Sequence, residues 1–113
     1  MSALSEKMRK AREMRVECGK GKTLTVLRPT PLQWEEISKS GSVVAGVIGL
    51  VIGWSGFVEM DFIPGGDPHP LPFDPEACAE WLADNPAIFS SVADVVIDGM
   101  TKYLETKKAA VKN

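Results

Sequence analysis

The chain's one histidine, His69, stands two residues after Asp67 in the run Asp67-Pro68-His69-Pro70. A carboxylate beside an imidazole suggests a general base, but such a base also needs a positioned nucleophile and an orienting group. The flanking prolines send successive side chains outward along an extended chain, so His69 reads as a solvated loop residue. Cys18 and Cys78 are the only thiols. They are too few for a disulfide scaffold or a closed zinc site. Cys18 alternates into a strand face and Cys78 shares a helix face with Trp81, so both read as small core hydrophobes. Gly19-Lys20-Gly21-Lys22-Thr23 has the look of a phosphate-binding loop. That loop needs an earlier glycine where Val16 stands, and a helix where Thr23–Leu27 alternates like a strand. Glu35-Glu36, Glu59 with Asp61, and Asp94 with Asp98 are carboxylate pairs. Asp94 and Asp98 lie one helical turn apart with Lys102 a turn further on, which is a solvated charge stripe before it is an acid–base pair. The expectation is therefore no catalytic residue, no cofactor and no metal site.

The chain has 113 residues with 44% apolar and 25% charged side chains, a globular composition that suits one domain with one modest core. Net charge is −2, so bulk charge gives no support to polyanion binding. The distribution is uneven: residues 1–28 carry eight Lys/Arg against three Glu, residues 29–100 one Lys against eleven acids, and residues 101–113 four Lys against one Glu. The ends either fold back onto the acidic body or meet an acidic partner or nucleic acid. No aromatic residue lies among the N-terminal charges to stack on bases. The basic start is followed by no apolar run, so no secretory signal is expected, and the thiols fit a reducing cytosol.

Residues 2–13 favour a short helix with a thin apolar stripe of Leu4, Met8 and Ala11. Residues 14–28 alternate in two runs around a glycine-containing turn and predict a β-hairpin whose Val16, Leu24 and Val26 face inward. Thr30-Pro31-Leu32-Gln33 is a capping box that starts a helix over 31–39. Val43–Trp54 is the most apolar stretch; it predicts a buried helix over 43–53, with Gly46, Gly49 and Gly53 on one face for close approach. An apolar strand is the alternative that its β-branched residues permit. The run is too short to span a membrane. Residues 55–73 form a Pro/Gly-rich loop anchored by Phe57, Phe62, Ile63, Leu71 and Phe73. Asp74-Pro75 and Asn85-Pro86 each read as cap-plus-proline, starting helices over 75–84 and 86–104. The predicted class is mainly α (α+β), a small N-terminal β-hairpin packed on a bundle of about four helices. A flexible or helical basic segment covers 1–13, a single globular domain 14–104, and a frayed basic tail 105–113.

Read together, the stretch from Arg28 to Tyr103 has a recognisable order. "RPT" closes the hairpin. "VIGWSGFVEMDF" follows the apolar segment, and "GGDPHPLPFDPEACAEWLADNP" leads to the amphipathic "AIFSSVADVVIDGMTKYL". This order resembles the small tail assembly chaperones of long-tailed bacteriophages over about two-thirds of the chain. "GWSG" and "PLPFDPE" with "EWLAD" are its most distinctive pieces. The resemblance implies a non-enzymatic protein of the host cytoplasm that coats the tape-measure protein, recruits tail tube protein and then leaves. It also implies a longer frameshifted product, and Lys107-Lys108 could be encoded by the slippery run A-AAA-AAG.

Such a chaperone needs an apolar groove of modest affinity, because a helical tape measure exposes stripes that would otherwise aggregate. The candidate groove residues are Trp54, Phe57, Phe62, Phe73 and Trp81, since aromatic anchors offer much contact area with few rotors. The competing expectation is that these five fill the protein's own core. On the first reading, Trp54→Ala or Trp81→Ala changes partner binding more than folding. Self-association is also open, and neither membrane nor nucleic acid is an expected partner. Two other functions fit the same residues: a phage structural adaptor or head–tail connector kept in the particle, and a small regulatory protein whose basic arm binds nucleic acid.

Overall fold

The computed structural model describes residues 2–112, with the side chain of Lys112 left aside. Its first element is the helix α1, Ala3–Ala11, capped by the Ser2 hydroxyl, which accepts from the Ser5 N–H. Two strands follow, β1 over Glu13–Gly19 and β2 over Lys22–Leu27. They pair antiparallel with Val16 opposite Leu24 and Met14 opposite Val26, so the period-2 pattern turns Val16, Leu24 and Val26 into the core as expected. Next comes α2, Pro31–Lys39, over the span that its capping box marks. The Thr30 hydroxyl accepts from the Gln33 N–H, and the Gln33 side chain accepts from the Thr30 N–H.

The apolar stretch behaves differently from its expected single helix. The helix α3 covers only Val43–Ile48, and Gly49 caps it. The chain turns at Leu50 and re-enters as a strand, β3, Val51–Ser55, which pairs antiparallel with β2. The hairpin is thus part of a three-stranded sheet in the order β1-β2-β3. Hydrogen bonding explains the switch. A two-stranded hairpin leaves the far edge of β2 unpaired in the interior, and buried backbone groups must find partners. Val51 and Ile52 are β-branched and suit that edge. The glycine stripe dissolves accordingly. Only Gly46 makes a close approach: a Cβ there would lie 2.6 Å from Ile37 Cγ2. Gly53 sits on β3 facing Thr25.

Two helices complete the chain, α4 over Pro75–Asp84 and α5 over Pro86–Lys112. The Asp74 carboxylate caps α4 by accepting from the Ala77 N–H at 3.1 Å. Asn85 does not use its side chain to cap α5. Its amide instead donates to the Trp81 carbonyl at 2.8 Å, tying off the end of α4, while its own carbonyl accepts from Ile88 and Phe89. The expected frayed tail is helical: residues 105–112 continue α5, because Leu104–Lys112 contains neither Gly nor Pro and several strong helix formers. Residue 113 lies outside the described residues, as does residue 1 of the basic segment.

Helix α5 packs on β1, β2, α3 and α4. Val92, Val96 and Met100 at i, i+4 and i+8 are its buried line. Asp94, Asp98 and Lys102 face water as expected, with Lys102 and Asp98 paired at 3.0 Å. Its 27 residues make a rod about 40 Å long. Among the described residues beyond Met100 only Tyr103 is shielded, so the C-terminal third of the rod stands clear of the core, and the molecule measures 56 × 33 × 26 Å. The architecture is α+β.

Candidate functional site

The five aromatic residues come from three elements and meet. Trp54 lies on β3; Phe57, Phe62 and Phe73 come from the long loop; Trp81 comes from α4. Ring centroids of Trp54 and Phe57, of Trp54 and Phe73, and of Phe57 and Trp81 are each 5.1 Å apart, and Trp54 and Phe62 are 5.3 Å apart. The Trp54–Phe73 and Phe57–Trp81 pairs are edge-on, a favourable arrangement for ring quadrupoles. The Trp54 indole N–H donates to the Leu71 carbonyl at 2.9 Å, so its polar edge is satisfied inside the chain. Phe57 is 1% exposed and has no face to offer; Trp54, Phe62, Phe73 and Trp81 are half-buried. The cluster pins the loop against the sheet. Of the other two anchors expected for that loop, Leu71 is half-buried and Ile63 is exposed.

Backbone bonds complete the clamp. Val58 bridges Pro70, and the Leu71 N–H donates to the Phe57 carbonyl at 2.9 Å. A 3-10 turn over Glu59–Asp61 brings Asp61 against Lys22 at the start of β2. Burial works against the Asp61 carboxylate, but the Lys22 ammonium and the Val58 N–H outweigh it and hold its pKa below the ordinary aspartate value.

The groups with chemical potential remain scattered. His69 is exposed and turned back on Asp67, whose carboxylate accepts from the His69 N–H at 2.8 Å and also meets the ring Nδ1. These bonds depress the pKa of Asp67. Both thiols are free. Burial raises the pKa of Cys18 and pushes that of Cys78 to about 11, so neither is poised as a thiolate. Lys20 and Gly21 form the hairpin tip, and Thr23 enters β2 rather than a helix. Among the described residues no three His, Cys, Asp or Glu side chains converge as a metal site would require, and no helix is long and apolar enough to cross a membrane.

A different constellation escapes residue-by-residue reading. Arg9 of α1, Arg12 at its C-terminal cap, Arg28 after β2, and Tyr103 of α5 border one groove of about 490 Å³, with Met8, Ala11 and Pro31 as apolar wall. The Arg28 guanidinium stacks on Tyr103 at 3.8 Å from the ring centroid. Its Nη1 donates to the Pro29 carbonyl, while Arg12 Nη1 donates to the Gln33 side chain at 3.3 Å. Burial lowers the pKa of Arg28; Tyr103 opposes the shift and the neighbouring Arg12 adds to it. Among the described residues none of the three arginines has a carboxylate within 4.0 Å. The one sequence signal for this groove was the surplus of positive charge in residues 1–28.

Comparison with known protein families, curated proteins and solved structures finds no match to this chain.

Proposed function

We propose that the chain is a non-enzymatic tail assembly chaperone of a long-tailed bacteriophage, acting in the host cytoplasm on the tape-measure protein and recruiting tail tube subunits. The observation that carries this reading is exposed apolar surface. Leu4 and Met8 on α1, Val43 and Val44 on α3, Met60 and Ile63 in the loop, and Ile97 and Leu104 on α5 all stand more than 40% open to water. Large apolar side chains exposed on several elements of a small chain suit a protein that shields another chain's apolar stripes. The resemblance in element order supports the same reading, with the apolar segment now divided between α3 and β3.

Chaperoning requires no bond to form or break. The partner's apolar stripe would transfer from water to this surface at about 25 cal/mol per Å² buried, less the cost of ordering both chains. That balance gives modest affinity, which lets tube subunits displace the chaperone. The test is expression of the tape-measure protein with and without this chain, followed by purification of complete particles. The tape measure is expected to aggregate alone and to stay soluble in company, and the chain is expected to be missing from particles. A fixed number of copies in every particle would make it a structural adaptor and overturn the chaperone reading.

A further inference from the structure

The geometry points to the groove between α1 and α5 as the docking site for an acidic amphipathic helix of a partner protein. This inference rests on the reading of the chain as a binder of another chain, and it moves the partner's seat away from the aromatic cluster.

Charge is the first argument. Arg9, Arg12 and Arg28 converge on one groove with no carboxylate of the described residues among them, although the chain carries fifteen acids. Three lysines elsewhere do find partners, Lys22 with Asp61, Lys39 with Glu35 at 2.7 Å and Lys102 with Asp98, whereas the groove gathers three arginines on one wall. Arg12 and Arg28 repel each other, and their protein hydrogen bonds run to neutral oxygens through Nη1 alone. A guanidinium has five N–H donors, so most remain free for a carboxylate, which the planar fork binds in bidentate fashion.

Apolar surface is the second argument. Helix α1 has nine residues and buries none of them, and Leu4 and Met8, one turn apart, are 67% and 61% exposed. A helix this short is marginal on its own. Met8 and Tyr103 line the groove, which continues past Tyr103 toward Gly99 and Thr106 along α5. The groove takes side-chain anchors rather than a whole helix. A helix lying across it would insert apolar residues beside Met8 and place flanking acids on the arginines.

The lining also decides against nucleic acid. Met8, Ala11 and Pro31 gain nothing from a sugar-phosphate strand, and one face of the only aromatic ring in the groove is covered by Arg28. The acidic body, with eleven acids against one Lys in residues 29–100, would repel a long polyanion.

The test uses the full chain and a fluorescein-labelled amphipathic helical peptide with a leucine stripe flanked by glutamates. A second peptide carries lysine at each glutamate, and a DNA duplex serves as competitor. Saturable binding of the acidic peptide alone is expected, with amide shifts confined to Ser5–Arg12 and the neighbourhood of Tyr103. Arg9→Glu and Met8→Asp, both at exposed positions on α1, are each expected to weaken binding about tenfold. Lys20→Glu, the same charge change at the hairpin tip, is expected to leave it unchanged. The inference is overturned by absence of saturable binding, by equal loss with Lys20→Glu, by tighter binding of the duplex, or by shifts centred on Trp54 and Trp81. If the acidic peptide fails while the tape measure still associates, the groove assignment falls and the chaperone reading stands. If the peptide binds and the tape measure does not associate, the reverse holds.

Discussion

Phe57→Ala is expected to cost about 3–5 kcal/mol of folding stability. The ring is almost fully buried and touches Trp54, Phe62 and Trp81, whose centroids lie 5.1, 6.0 and 5.1 Å away. Removing it opens a cavity where β3, the long loop and α4 meet, and rings cannot collapse into such a space without leaving their own partners. A chain of this size has about 5–15 kcal/mol in total, so the variant stands near the threshold of folding. Each kcal/mol lost lowers the melting temperature by about 4 °C or more. Phe57→Leu keeps most of the bulk and is expected to fall between wild type and alanine. Urea titration followed by tryptophan emission reads both. A Phe57→Ala protein as stable as wild type would mean that the cluster is loosely held and that its rings are free for a partner.

Gly56→Ala is expected to be about as damaging, at about 4 kcal/mol or more, for a different reason. Gly56 has φ +83°, and a Cβ there would lie 1.8 Å from the Gly21 carbonyl oxygen. The obstacle is backbone on both sides, so neither strand end can yield by rotating a side chain. Relief requires the loop to lift from the hairpin tip, which separates Asp61 from Lys22 and disturbs the Trp54 edge. Gly65→Ala is the control. Gly65 has φ +80° and nothing within 4 Å of its would-be Cβ, so it bears only the left-handed backbone cost of about 1–2 kcal/mol. Equal losses for the two variants would contradict the close approach of loop and hairpin.

These two sites show what local sequence can and cannot carry. The starts of α2 and α4 are legible to the residue, because Thr30-Pro31 and Asp74-Pro75 state their boundaries through hydrogen bonds made within four residues. The hairpin register is legible because alternation fixes which side chains turn inward. The division of Val43–Ser55 into α3 and β3 is not, since the demand that makes Val51–Ser55 a strand comes from the open edge of β2, more than twenty residues earlier. Asn85 follows the same logic: its dipeptide fits a cap for α5, but the Trp81 carbonyl one turn back competes for the amide and wins. The five aromatic residues could be named from sequence, and the structure gathers them, yet only tertiary packing shows how much of each ring remains open. The arginine groove was hidden more deeply. Arg9, Arg12, Arg28 and Tyr103 span nearly the whole chain and share no motif.

Noncovalent association with another chain is the claim on which the rest depends. It is tested most directly by calorimetric titration of the purified chain into a purified helical fragment of the tape-measure protein, with intact masses of both measured afterwards. A saturable complex, a negative heat-capacity change from buried apolar surface, and unchanged masses are expected. No heat of binding up to about 100 μM of either chain, equivalent to less than about 5.5 kcal/mol of affinity, would contradict it. So would a changed mass in either partner.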